Sequence, residues 1–230
     1  MANTHDLADF LQRFSTKVLW HFTGYDKSES KAYEILKLIV ESKILKLADH
    51  PEPVIMDGGE HRWVYTYSCM CDIPFKDLRI HTVRYGKYGL AFNKEKAIKS
   101  GHFNPILYIH KDSRLFKLAS QVLPEIDNLV LPQGELNRKV TRFLALLGTF
   151  VKPSDLTAPI IVGNVQVDKE QNNNFYYERE WRSAFQWEFI SSDLEAIMVP
   201  KRDFNNIKQL LDKNEFIDTP IIPYEMVEKL

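Results

Sequence analysis

The stretch LWHFTG, residues 19–24, has the alternation of a β-strand, with a large aromatic side chain at every second position. Successive side chains on a strand point to opposite faces, so Trp20 and Phe22 share one face while His21 and Thr23 share the other. We therefore predict a strand with one core face and one face that carries a titratable ring and a hydroxyl. The second face is either the floor of a site or the position of a structural histidine.

The residues around this strand follow helical and extended patterns without a regular βαβ order. Apolar residues spaced three and four apart predict helices, and aromatic or β-branched runs predict strands. The predicted helices are 4–14, 29–43, 94–100, 113–122, 135–150 and 204–211. The predicted strands are 18–23, 62–74, 87–92, 104–110, 159–167, 175–187 and 196–200. Polar, proline-rich and glycine-rich compositions predict an exposed loop at 48–61 and a turn at 171–174. This mixture favours an α+β fold with a mostly antiparallel sheet flanked by helices over a doubly wound fold.

The composition excludes several functional classes. The 230 residues are 44% hydrophobic and 27% charged, which is typical of a globular chain of one domain. The 30 basic and 31 acidic residues give a net charge of −1, so no broad attraction to nucleic acid or to an anionic membrane is indicated. No apolar run approaches the roughly 20 residues of a membrane span, and residues 1–14 lack the pattern of a signal peptide. We expect a cytoplasmic protein.

The cysteines and nearby histidines do not predict a metal site. Cys69 and Cys71 lie two residues apart, where a disulfide would be strained, so we expect reduced thiols. Together with His61 and His81 they suggest zinc, but there is no second cysteine pair at the spacing of a zinc finger.

The stretch YEREWR, residues 177–182, is the strongest candidate for chemistry. On a strand Glu178, Glu180 and Arg182 share one face. Two carboxylates this close repel each other, which tends to raise the pKa of one of them, and Arg182 can relieve the repulsion. The face is either a solvated charged ladder or the lining of a cleft.

A second candidate is RYGKYG, residues 84–89, in which Tyr85 and Tyr88 stand beside glycines. Glycine lets a backbone turn or approach a ligand closely, and a tyrosine beside such a turn can stack on a flat heterocycle. The alternative is a hairpin turn with packing tyrosines.

Four motifs follow one another along the chain: LWHFTG, SCMCDIPFKDLRIH, RYGKYGLAFNKEKAIKSGHFNPILYI and YYEREWR. Taken in series they resemble the AbiGi family of abortive-infection phage-resistance proteins, which are described as the antitoxin component. The resemblance covers residues 18–110 and 175–200 and implies one AbiGi-like domain, 1–230, in which 111–170 is interpreted as a helical insertion. It also implies a phage-defence role in a toxin–antitoxin system, with a toxin or antitoxin protein as partner.

The same order of motifs is similar to ADP-ribosyltransferase-like folds, which implies a split β-sheet and NAD as the cofactor. By this resemblance a late glutamate, Glu180, would stabilise the transition state, and Glu178 would orient the target nucleophile. The residues that would bind NAD are His21, Thr23, Tyr85, Tyr88 and Arg182.

Two further interpretations stay open. In the first, the chain is a non-catalytic antitoxin, and the motifs are turns and core edges. In the second, it is an effector that acts on RNA, a hypothesis that the low net charge disfavours. The residues that suggest this second interpretation are His81, Arg84, Lys87, His102 and His110.

Overall fold

A computed structural model describes residues 16–56, 59–110, 112–118, 121, 135–154, 161–162, 165–166 and 178–229. The helices are α1 (Glu29–Ser42), α2 (Leu78–Tyr85), α3 (Lys94–Lys99), α4 (Glu135–Thr149), α5 (Phe204–Lys213) and α6 (Tyr224–Val227). The strands are β1 (Val18–Phe22), β2 (Ile44–Leu45), β3 (Ala48–Met56), β4 (Gly59–Cys71), β5 (Gly89–Asn93), β6 (Asn104–Pro105), β7 (Leu107–Ile109), β8 (Val151–Pro153), β9 (Ile161–Val162), β10 (Val165–Gln166), β11 (Glu180–Ser183), β12 (Trp187–Glu188), β13 (Leu194–Val199) and β14 (Ile221–Pro223).

One large sheet organises these elements, in the order β14-β13-β5-β1-β4-β11-β6, with β3 added to β4 off that path. Strands β13 and β14 run parallel, and the other neighbouring pairs of this sheet are antiparallel. The small pair β7–β8 is parallel. The protein is therefore an α+β protein with a mostly antiparallel open sheet flanked by helices, as the sequence predicts.

The alternation of LWHFTG is confirmed, but both faces of β1 are covered. Strand β1 pairs along its length with β5, from Val18↔Asn93 to Phe22↔Gly89, and with β4 at Trp20↔Cys71. Leu19 belongs to a core cluster that includes residues of α1 and α5, whereas Trp20 belongs to a second cluster with residues of α2 and α6. Because β1 is central in the sheet, helices pack on both of its sides.

Helix α1 follows directly from its sequence pattern. The Ser28 side chain caps the N-terminus by accepting from the Lys31 amide at 3.3 Å. The predicted apolar stripe is confirmed at four positions, which are buried in the core: Ala32, Leu36, Ile39 and Val40. The helix ends before Lys43, which has a left-handed backbone.

The predicted loop at 48–61 is wrong, because β3 and β4 form a long hairpin from Ala48↔Tyr67 to Met56↔Gly59. Pro51 and Pro53 suggested a loop because proline cannot donate a hydrogen bond to a neighbouring strand. Strand β3 lies off the main path of the sheet, where proline is tolerated.

Two other segments differ from their predicted forms. Residues 78–85 form helix α2, and Gly86, with a φ of 84°, follows the helix end, so RYGKYG is a helix terminus rather than a hairpin turn. Of the strand predicted at 175–187, residues 178–187 are described; they contain β11 and β12, and Arg179, with a φ of 42°, directly precedes β11.

Some predictions fall partly or wholly outside the described residues. The helix at 4–14, the turn at 171–174 and Tyr177 lie outside them. Of the helix at 113–122, residues 114–118 are described and helical; of the strand at 159–167, residues 161–162 and 165–166 are described and paired. Across the described part of the chain, no helix is long and apolar enough to cross a membrane.

Candidate functional site: a buried ion-pair cluster

Glu178 and Glu180 lie together in the interior, joined by a lysine that the sequence did not single out. Lys152 of β8 donates to Oε2 of both carboxylates, at 2.6 Å to Glu178 and 3.0 Å to Glu180. All three side chains are buried. The two acids of YEREWR therefore share one cation instead of facing solvent as a charged ladder.

Arg182, which is fully buried, also binds Glu180. Its Nε donates to Glu180 Oε1 at 2.7 Å, and its Nη2 donates to Oε2 at 3.1 Å, which is the two-pronged geometry of strong arginine–carboxylate pairs. Its Nη1 donates to the carbonyl of Thr149 at 2.7 Å, and the guanidinium lies 4.1 Å from the centre of the Tyr67 ring. Arg182 thus connects β11 to the end of α4 and to β4.

The end of α2 supplies the remaining donors to Glu178. Arg84 Nη1 donates to Oε1 at 2.7 Å, and the Tyr85 hydroxyl donates to the same oxygen at 2.5 Å. The Arg84 guanidinium also lies over the rings of Tyr25 and Tyr85, at 5.6 and 5.4 Å from their centres. We call the set Arg84, Tyr85, Lys152, Glu178, Glu180 and Arg182 the ion-pair cluster.

The charges around Glu180 and Tyr85 shift the pKa values of both groups. Burial raises the pKa of Glu180, but Lys152 and Arg182 outweigh it and hold that pKa well below its ordinary value. Glu180 therefore does not show the rise expected for one carboxyl of the pair, because two cations neutralise it. Burial and the charge of Glu178 raise the pKa of the Tyr85 phenol well above its ordinary value, so the phenol stays a donor.

The groups around the cluster that could act as nucleophile or base are held in their neutral forms. Burial and the charge of Glu180 raise the pKa of Cys69 to about 12, so its thiol is not nucleophilic at neutral pH. His81 stacks on Tyr85 with ring centres 4.4 Å apart, and burial lowers its pKa to about 4. Both cysteines are free thiols.

The sheet separates the predicted NAD-binding residues into two groups. Cys71 lies directly opposite Trp20 on one neighbouring strand and directly opposite Glu180 on the other, so the three side chains share one face of the sheet. His21 is next to Trp20 in the chain and therefore points to the other face. The structure thus brings together four predicted site residues on the α2 side, and it places three others beneath α1. The first four are Tyr85, Glu178, Glu180 and Arg182; the other three are His21, Thr23 and Tyr88.

Each residue of the second group makes a hydrogen bond within the fold. His21 Nδ1 lies 2.7 Å from the carbonyl of Cys69, which requires the Nδ1–H tautomer. The Thr23 hydroxyl donates to the carbonyl of Ala32 at 2.8 Å. The Tyr88 hydroxyl donates to Asp203 at 2.7 Å.

The residues that suggested an RNA-directed effector are spread over the surface and interior. His102 packs against Phe185 with ring centres 5.9 Å apart, and His110 is exposed. Lys87 pairs with Glu29 at 2.9 Å. In the residues that the structure describes, no group of three histidine, cysteine or acidic side chains could hold a metal ion.

Sequence reasoning missed Lys152 and Tyr108, whose hydroxyl accepts from the Glu180 amide at 2.9 Å. Lys152 stands in a strand of three residues, where one sequence gives no sign that a lysine is buried. Chemically, the cluster is a buried network in which Lys152 and Arg182 bind both oxygens of Glu180. It links α2, β8 and β11, and a substrate that binds an oxygen of Glu180 would compete with these cations.

Over residues 56–221 the chain matches the family described as "Putative abortive phage resistance protein AbiGi, antitoxin". This range contains all six residues of the ion-pair cluster and leaves β1 outside. No curated protein and no solved structure matches the chain.

Proposed function

Because the chain belongs to the AbiGi family, described as an antitoxin family of abortive phage resistance, we propose that it is an antitoxin that binds a partner toxin and neutralises it. This function needs a stable surface and no catalytic group. The observation that supports it is that both carboxylates in YEREWR already accept hydrogen bonds from side chains of the fold. The donors are Lys152, Arg182, Arg84 and Tyr85.

The arrangement of the cluster supports a structural role for the family motifs. RYGKYG supplies Arg84 and Tyr85, and EREWR supplies both acids, so the motifs meet in one interior network. An acid that catalyses a reaction must be open to its substrate, whereas Glu178 and Glu180 are buried and bound. A rigid scaffold that presents a binding surface accounts for both the meeting of the motifs in the interior and the burial of the two acids.

The test is co-expression with the product of the adjacent gene. Growth should be arrested by that product alone and restored by this chain, and the two purified proteins should elute as one complex in size-exclusion chromatography. Absence of both rescue and complex would overturn the antitoxin function.

A second candidate, an NAD-consuming ADP-ribosyltransferase-like effector, draws support from one observation. Tyr85, Glu178, Glu180 and Arg182 converge around Lys152, as a site with a late glutamate pair requires. In this candidate Glu180 would stabilise the positive charge that develops on the ribose, and Glu178 would orient the nucleophile. His21, Thr23 and Tyr88 would be its further NAD-binding residues, although they lie on the opposite face of the sheet.

Calorimetry with NAD and an assay of nicotinamide release test this candidate. Glu180→Gln keeps the shape of the side chain and removes its charge, and Glu188→Gln, at an exposed position of β12, is the matched control. Binding by the wild type, with release lost in Glu180→Gln alone while both variants stay folded by circular dichroism, would support the enzyme. No binding at millimolar NAD would leave the antitoxin function.

A further inference from the structure

Helix α2 has an apolar face that the described residues leave exposed. Ile80 and Val83 are 77% and 65% exposed, and their i, i+3 spacing places them on one side of the helix. The two buried residues of α2, Leu78 and Thr82, lie on the opposite side at helical spacing. Phe75, three residues before the helix, is 40% exposed. We call Ile80 and Val83 the α2 face.

A cover over the α2 face would stabilise a short helix. Helix α2 has eight residues and buries two of them. Helices of this length are marginal in water unless they pack against other elements. Arg84 and Tyr85, at the end of α2, bind Glu178 of the ion-pair cluster, so the stability of α2 also affects the cluster.

The segment that precedes β1 carries an apolar stripe that could provide this cover. Residues 4–14 lie outside the described residues, and their sequence has apolar side chains at the i, i+3, i+4, i+7 spacing of an amphipathic helix. We call these side chains the N-terminal stripe: Leu7, Phe10, Leu11 and Phe14. A helix over 4–14 would be about 16 Å long and α2 is about 12 Å long, so the first can cover the second along its whole length.

The structure fixes the end of this segment beside the start of α2. The Thr16 amide and hydroxyl both donate to Asp72 Oδ1 at 2.8 Å, and the chain bends at Lys17. Asp72 is followed after three residues by Phe75 and then by α2. At about 3.6 Å per residue, Phe14 lies within about 7 Å of Thr16, and Phe75 lies within about 11 Å of Asp72. The N-terminal stripe therefore begins within reach of the α2 face.

We propose that residues 4–14 form a helix that packs the N-terminal stripe on the α2 face of the same chain. Phe14, at the anchored end, lies beside Phe75, and the stripe continues over Ile80 and Val83. Because Thr16 holds the segment beside α2, docking takes place at the high effective concentration that a short linker provides. Removal of both apolar surfaces from water drives the contact. The inference does not depend on the proposed antitoxin function.

The experiment is a double-mutant cycle on the full chain, measured by urea unfolding. Alanine has a higher helix propensity than isoleucine, so Ile80→Ala would not destabilise a solvent-exposed α2 face. Under a docked segment Ile80→Ala removes buried apolar contacts and should lower the urea midpoint, as should Phe10→Ala. The double variant Phe10→Ala/Ile80→Ala should lose less stability than the sum of the two single losses, because contacting residues are not additive.

The matched control is Leu38→Ala on α1, where the leucine is 59% exposed. Helices α1 and α2 pack on opposite sides of the sheet, so the N-terminal stripe cannot contact both faces at once. Leu38→Ala should leave the urea midpoint unchanged, and its effect should add to that of Phe10→Ala. Circular dichroism verifies that each variant is folded, and sedimentation gives its oligomeric state.

Loss of stability in Ile80→Ala, together with coupling to Phe10 in a monomer and no coupling between Phe10 and Leu38, supports the inference. An unchanged midpoint in Ile80→Ala, or single losses that add up in the double variant, overturns it. Coupling that is present only in a dimer would mean that the N-terminal stripe covers α2 of a second copy, and contact within one chain would be wrong. If the Phe10 and Ile80 losses add up while Ile80→Asp abolishes a complex with the product of the adjacent gene, the α2 face binds that partner instead, and the inference is overturned.

Discussion

Gly24 and Gly86 meet backbone to backbone, so a Cβ on Gly24 would lie 2.9 Å from the Cα of Gly86 and 2.7 Å from the Tyr85 carbonyl oxygen. The Gly24 amide donates to that same carbonyl at 3.1 Å. This contact joins the end of LWHFTG to the end of α2, and it places Arg84 and Tyr85 where they reach Glu178. Gly24 and Gly86 are therefore both required for this close approach inside the fold.

Gly24→Ala should destabilise the protein by about 1–3 kcal/mol, because the new methyl group meets rigid backbone atoms. Gly89→Ala is the matched control, since the atoms nearest its Cβ would belong to the rings of Phe22 and Trp20, at 3.2 Å or more, and side chains can shift. Urea unfolding of the full chain measures both variants. A loss in Gly89→Ala equal to that in Gly24→Ala would contradict the importance of the backbone contact.

Lys152→Met should cost about 3–5 kcal/mol of unfolding free energy, because it leaves two buried carboxylates without their shared cation. Lys99→Met provides the comparison, since Lys99 pairs with Glu95 on an exposed helix surface and its loss should have no measurable effect. Chemical denaturation at neutral pH measures the difference. Equal stability of the two variants would show that the cluster adds nothing to folding.

Local patterns predicted the helices whose apolar residues pack on the core. Helix α1 and helix α5 bury a stripe at helical spacing, so their periodicity reflects their packing. Helix α2 buries only Leu78 and Thr82 and leaves Ile80 and Val83 in solvent, so its apolar residues do not have the helical period. The two buried residues of α2 are too few to give its apolar residues a helical period.

The candidate site was predictable only where its residues are neighbours in the chain. The two-residue spacing of Glu180 and Arg182 on β11 correctly placed both on one face. The donors to Glu178 come from distant positions, 26 residues away for Lys152 and 94 for Arg84, and such contacts depend on the packing of separate elements. One sequence carries no local sign of them.

The stability of the protein should decrease between pH 6.5 and pH 4 because two histidines are held neutral. Burial lowers the pKa of both His21 and His81 to about 4, from 6.5 in an unfolded chain. In that window the unfolded state binds more protons than the folded state, so acid favours unfolding. Below about 4.5 the protonation of Glu180, whose pKa is lowered in the folded protein, adds to the loss.

His81→Phe should flatten this pH dependence while keeping the ring contacts with Tyr85 and Phe22. The measurement is the unfolding free energy at a series of pH values from 4.5 to 7, a range that includes the ordinary pKa of histidine. His102→Phe is a control at a partly buried histidine that packs against Phe185. Parallel profiles for the wild type and His81→Phe would show that His81 does not carry the effect.

Both cysteines should resist thiol reagents until the protein unfolds. Burial and the charge of Glu180 raise the pKa of Cys69 to about 12, and burial also raises the pKa of Cys71. Because the thiolate is the reactive form, the rise of the Cys69 pKa from 9 to about 12 lowers the thiolate population near neutral pH and slows labelling. Labelling with an aromatic disulfide reagent, with and without urea, measures the protection, and Cys69→Ser and Cys71→Ser assign it to each thiol. Rapid labelling of Cys69 in native buffer would mean that β4 opens beside the ion-pair cluster, and that the carboxylates there are open to solvent and to a substrate. That outcome would weaken the structural role of the cluster and favour the NAD-consuming candidate over the antitoxin.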